Sequence, residues 1–135
     1  MKYSVQDIEG IGPVNGAKLA DAGVWTTDDL LRVGGDVAGR KVLSKQAGFD
    51  KSRLLGWVDR ADLMRVSGIG EEYADLLEHA GVDTVKELAT RNAENLVEMM
   101  EKVNAEKKLT RGTPKPGEVQ KWIKEADKLK PMVSY

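Results

Sequence analysis

Two octapeptides, Val5-Gln6-Asp7-Ile8-Glu9-Gly10-Ile11-Gly12 and Leu63-Met64-Arg65-Val66-Ser67-Gly68-Ile69-Gly70, stand 58 residues apart and constrain this chain more than any other feature. In each, apolar residues at helical spacing run into Gly-Ile-Gly. That is the pattern of a tight hairpin between two helices, with glycine supplying backbone angles that a side chain would forbid. Four positions after the last glycine comes a small residue, Gly16 or Ala74, where it lets two helices cross closely; Leu19 and Leu77 follow on the same face. Gly23 and Gly81 read as left-handed residues that stop the second helix. Between 8–32 and 66–90, nine of 25 positions are identical, and Trp57, Ala61 and Asp62 match Trp122, Ala126 and Asp127 at an offset of 65. A period near 60 with this much agreement predicts internal duplication, with repeats at about 4–65 and 66–130 and about seven extra residues around 111–117.

The helix signals come in the same order in both halves. Ser4 with Asp7 predicts a short first helix, and Pro13 opens the next at a position where a missing N–H costs nothing. Thr26 to Asp29, and Thr84 to Glu87, each cap a third. A basic helix is expected over 36–47, ending at Gly48, and Asp50 or Ser52 starts another that leads into the second hairpin. Asn92 caps a helix reaching Val103, 107–117 reads as a loop, and a last helix spans 118–129 before Pro131. Nothing alternates with period two for long enough to be a strand. The expected fold is all-α, a single domain over 1–135 of two pseudo-symmetric helical repeats, because each half alone is too small for a stable core. The helix leading the first hairpin is barely one turn and needs a neighbour. Leu129, Met132 and Val133 are therefore expected to cover Val5 and Ile8, bringing Tyr135 and Met1 to one side.

Bulk properties narrow the function. There is no cysteine, so no disulfide or thiolate metal site, and no apolar run long enough to span a bilayer or serve as a secretion signal; a cytoplasmic protein is expected. The net charge of −1 argues against an indiscriminate nucleic-acid binder, but its distribution is uneven. Residues 36–65 and 102–135 carry +3 and +5, whereas 1–35 and 66–101 carry −2 and −7. An anionic partner would meet the two basic segments.

The Gly-Ile-Gly hairpins resemble the helix-hairpin-helix motif of DNA repair and recombination proteins. The whole chain resembles a prokaryotic family of unknown function built from tandem units of this kind, with a SAM-like all-α fold. The resemblance is carried by Trp57-Val58-Asp59-Arg60-Ala61-Asp62-Leu63-Met64-Arg65, by Gly81-Val82-Asp83-Thr84-Val85-Lys86-Glu87-Leu88 and by the closing Val133-Ser134-Tyr135. It implies contact with DNA or RNA backbone, weak and without sequence specificity. No cofactor is implied beyond a monovalent cation held by hairpin carbonyls in some relatives.

The chemistry on offer is anion binding. N–H groups and the dipole at the start of a hairpin's second helix suit a phosphate oxygen, and glycine lets it approach. Such hairpins also serve simply to turn two helices, with Ile11 and Ile69 as buried plugs. For the second, Gly68, Ile69 and Gly70, the structural role is favoured, because Glu71, Glu72, Asp75 and Glu78 lie on the helix a phosphate would approach. For the first, Gly10, Ile11 and Gly12 are followed by Pro13, Val14, Asn15 and Lys18, and both readings stand, although Asp7 and Glu9 precede it. Arg40, Lys41 and Lys45 share a helix face by spacing, with Lys51 and Arg53 beyond, and would extend a phosphate track. Trp57 and Trp122 read as core; Trp25, in a turn, is the one tryptophan expected to be exposed and able to stack on a base.

Enzyme readings fail on inventory. His79 lies on an acidic helix with no metal partner at ligand spacing, and there is no nucleophile arrangement. Gly34 to Lys41 only faintly resembles a phosphate-binding loop: Arg40 stands where lysine is required, and no Ser or Thr follows. Two expectations remain. One is a non-catalytic binder of nucleic-acid backbone acting through the first hairpin and the 40–53 segment. The other is a protein-interaction or self-association module in which an acidic face meets a basic one.

Overall fold

Side-chain caps set the starts of four of the helices. In the computed structural model, which describes residues 3–135, a short 3-10 turn at Val5–Asp7 precedes eight α-helices, and the described residues contain no strand. The helices are α1 (Gly12–Asp21), α2 (Thr27–Gly34), α3 (Val37–Ala47), α4 (Lys51–Leu63), α5 (Glu71–His79), α6 (Val85–Leu88), α7 (Ala93–Lys107) and α8 (Pro116–Lys128). Thr26 Oγ1 accepts from Asp29 N at 3.1 Å while Asp29 Oδ2 accepts from Thr26 N at 3.1 Å, a reciprocal cap for α2. Thr84 caps α6, Asp36 caps α3 and Asn92 caps α7 in the one-way form. Gly48 ends α3 at φ 79°. Helix α8 starts two residues before its expected position, because Pro116 is itself suited to a first turn.

The first expected helix is only the 3-10 turn, and Ser4 Oγ accepts from Gln6 N at 3.2 Å rather than from Asp7. Three residues cannot sustain an α-helix. The turn and the residues before it are instead tied to the 25–27 segment: Val5 N donates to Trp25 O at 3.0 Å, and Thr27 N to Tyr3 O at 2.8 Å.

Helix α4 is central. It packs on α2, α3 and α5, while α8 packs on α6 and α7. Leu54, Trp57 and Val58 of α4, Leu30, Leu76, Leu77, Met100 and Trp122 belong to one apolar core. Each such side chain contributes about 1.5–3 kcal/mol by leaving water. Asp62, 1% exposed, is not a stray charge in this core. It takes the Arg65 guanidinium at 2.8 Å and accepts from Val85 N at 2.9 Å, so α4 supplies an acceptor for the start of α6. No helix among the described residues is long and apolar enough to cross a membrane.

The chain's last residues do not cover Val5 and Ile8. They cross to the α2–α3 corner, where Ser134 N donates to Gly35 O at 2.8 Å, and on to α4, where Tyr135 Oη donates to Asp59 Oδ1 at 3.0 Å. The reason is Arg40, whose guanidinium needs carbonyls and finds Ser134 O among them. The expectation involving Met1 lies outside the described residues.

Candidate nucleic-acid interface

The two Gly-Ile-Gly turns share part of their geometry. Gly10 and Gly68 have φ of 91° and 93°, and Ile11 and Ile69, both buried, donate back to Ile8 O and Val66 O at 3.1 Å. Past each glycine stands a tryptophan ring nitrogen. A Cβ on Gly10 would lie 3.6 Å from Trp57 Nε1, and one on Gly68 would lie 3.0 Å from Trp122 Nε1. The second glycines differ. Gly12 has φ 64°, but Gly70 has φ −97° and open space where a Cβ would go, so it needs no glycine freedom. Gly68→Ala is expected to cost about 2 kcal/mol through left-handed strain and the tight ring contact, and Gly70→Ala less than about 1 kcal/mol. Urea denaturation of the two variants checks this; equal losses would contradict it.

The turns also differ in what lies before them. At the second, Ser67 N already donates to Glu125 Oε2 at 3.0 Å, and α5 opens on Glu71 and Glu72. Asp7, on the way into the first turn, lines the same cleft of about 380 Å³ as Gly70, Glu71 and Glu72, with Tyr3 and Tyr73. Burial first, then the charges of Asp7, Glu9 and Glu72, push the Glu71 carboxyl above its ordinary range. This corner repels phosphate.

The opposite flank of the first turn is basic. Helix α1 starts there with no side-chain cap and with Pro13 in its first turn; Asn15 Nδ2 reaches Gly10 O at 3.5 Å. Lys18 Nζ of α1 stands 5.8 Å from the centre of the Phe49 ring, and the Arg53 guanidinium of α4 stands 5.6 Å from it. Arg53 also lies 5.0 Å from the Trp57 ring, which meets Phe49 edge-on at 4.9 Å. Contacts therefore link Gly10 through the buried Trp57 and Phe49 rings to two cations on exposed residues, Lys18 and Arg53. Lys41 and Lys45 are exposed on α3.

Arg40 does not belong with them. It is 5% exposed, and Nη1 donates to Gly34 O and Gly35 O, both at 2.9 Å, while Nη2 donates to Ser134 O. The last carbonyls of α2 lack helical partners, and a cation there satisfies them. Helical spacing places Arg40 beside Lys41 and Lys45, but the glycine corner draws it inward. Conversely, Phe49 enters the site, beside the expected Arg53, although spacing alone did not single it out. The signal was available: Phe49 is the chain's one phenylalanine, set in a turn between a basic helix and Arg53.

Trp25 is 65% exposed and Trp57 and Trp122 are 3% and 2% exposed. His79 Nδ1 lies 2.8 Å from Asp75 O, within its own helix. A family model described as a domain of unknown function (DUF4332) matches residues 9–129. No curated protein and no solved structure matches the chain.

Proposed function

The chain belongs to this family, and since membership brings no activity with it, we propose from the site's own chemistry that it is a non-catalytic, tandem helix-hairpin-helix protein, built by internal duplication, that binds nucleic-acid backbone without sequence preference. The observation that carries this is the convergence of Lys18 and Arg53, from two helices, on Phe49 beside the first Gly-Ile-Gly turn. Gly10, Ile11 and Gly12 bring a phosphate close to the uncapped start of α1, and Lys18, Arg53, Lys41 and Lys45 supply the charge. The second turn serves packing, with its Ser67 amide taken by Glu125.

Contacts of this kind position a polyanion and read no bases, so affinity should be weak and fall steeply with salt. Titration of labelled duplex and single-stranded DNA tests it. Replacing both Lys18 and Lys41 with glutamate is expected to weaken binding by roughly a hundredfold at low salt and to flatten the salt dependence by about one unit per lost phosphate contact. Unchanged affinity in that variant removes the proposal.

A second reading is self-association, favoured by the acidic cleft at Asp7, Glu71 and Glu72, to which the Lys18–Arg53 face of another copy is complementary. Light scattering against protein and salt concentration separates the two.

A further inference from the structure

The groove beside Trp25 is used by nothing described so far. It measures about 330 Å³ and is lined by Ala17, Ala20 and Asp21 of α1, by Trp25 and by Gln6, whose side chain lies against Gly16. That is the small end of the range for ligand sites, room for one flat group. The Trp25 backbone is held on both sides: its N–H donates to Asp29 Oδ2 at 3.1 Å and its carbonyl accepts from Val5 N at 3.0 Å. The bond from Trp25 N is the foremost cause that lowers the Asp29 carboxyl below its ordinary value. The indole itself is left in water.

The second half shows that the fold does not require this ring. Val24 N donates to Leu19 O and Val82 N to Leu77 O, both at 2.9 Å, and Thr26 and Thr84 both act as caps, so the two stretches are built alike. Yet the residue matching Trp25 is Asp83. An exposed indole that local geometry can do without, beside small residues, offers a face for a planar aromatic ligand. Its position says which. Lys18 lies on the same helix, around the outer face from the groove, and α1 is only about 10 Å wide, so a strand crossing that face reaches both. Asp21 excludes phosphate from the groove itself, which leaves the base.

We propose that this groove takes a single unpaired nucleobase stacked on Trp25, so that the nucleic acid held at the Lys18–Arg53 face is single-stranded or carries a displaced base. This rests on the nucleic-acid reading above and gives it a substrate class. Stacking on an exposed ring is tolerant of sequence and is lost on truncation to alanine.

The test measures anisotropy of fluorescein-labelled oligo(dC) and of a labelled mixed-sequence duplex with the full chain and with Trp25→Ala and Trp25→Phe. Trp25→Ala is expected to weaken single-strand binding on the order of tenfold while leaving the duplex unchanged, and Trp25→Phe to restore most of the loss. Because the side chain is largely in water, thermal melting should be unaltered in both variants. Equal single-strand affinity of Trp25→Ala and the parent overturns the groove while the backbone reading stands. Absence of binding to either nucleic acid overturns both. A blue shift of Trp25 emission on raising protein concentration without DNA places a second copy in the groove and overturns the base.

Discussion

Alanine in place of Arg40 is expected to cost about 3 kcal/mol of stability, a loss of roughly 10 °C in melting temperature, and to leave the salt dependence of nucleic-acid binding unchanged. The guanidinium bridges Gly34 O, Gly35 O and Ser134 O, and its removal strands buried carbonyls at the end of α2. It also frees the last residues of the chain, including the Tyr135 hydroxyl on Asp59. Lysine should rescue little, because a single ammonium cannot reproduce the planar fork. Thermal melts, with amide exchange at Ser134 as the local readout, check the outcome. A stable Arg40→Ala protein with weakened DNA binding would return Arg40 to the binding face.

Asp59→Asn is expected to raise the melting temperature by several degrees at pH 8, by less at pH 5 and hardly at all below about pH 4. Asp59 is 7% exposed on α4. Burial above all pushes its carboxyl from 3.8 up to about 7, against the pull of the Tyr135 hydrogen bond and with help from the charges of Asp83, Glu78 and Asp62. The folded state thus holds a proton that the unfolded chain has released above about pH 4. Its contribution to stability is full below that point and is lost as pH rises through about 7. Glu78 and Asp83, both raised chiefly by burial, act in the same direction. Asparagine keeps an acceptor for Tyr135 without the charge. Melting curves of both proteins from pH 5 to pH 8 decide it; a variant less stable than the parent at pH 8 would mean that the carboxylate is needed in its ionised form.

What was legible in the sequence was what local chemistry decides. Asp36 and Gly48 bracket α3, and Thr26 with Asp29 makes the cap of α2, because a side chain three residues away settles each start and a left-handed glycine settles the end of α3. The burial of Trp57 and Trp122 followed from their matching positions in the two halves, and the exposure of Trp25 from its place in a turn. Arg40 was not legible, because all three of its partners are backbone carbonyls, which leave no trace in residue types, and one of them lies 94 residues away. The backbone of Gly70 escaped for a related reason. A repeated glycine suggests a repeated angle, yet Gly12 is left-handed and Gly70 is not. The Phe49 cluster needed three elements in place before its two cations could be seen to converge.

The path of the last residues has a kinetic side. Most helix contacts join near neighbours in the chain, α2 with α3 and α4, α4 with α5, α7 with α8. Assembly on such contacts closes only short loops, the circumstance in which chains collapse fastest. The fastening of Ser134 to Arg40 closes a loop of 94 residues and gains little until the α2–α3 corner exists to receive it. It therefore belongs to the descent after the barrier. Whatever strengthens it slows the unfolding of a finished molecule without hastening the folding of a new one, so the corner acts as a clasp that sets lifetime rather than route.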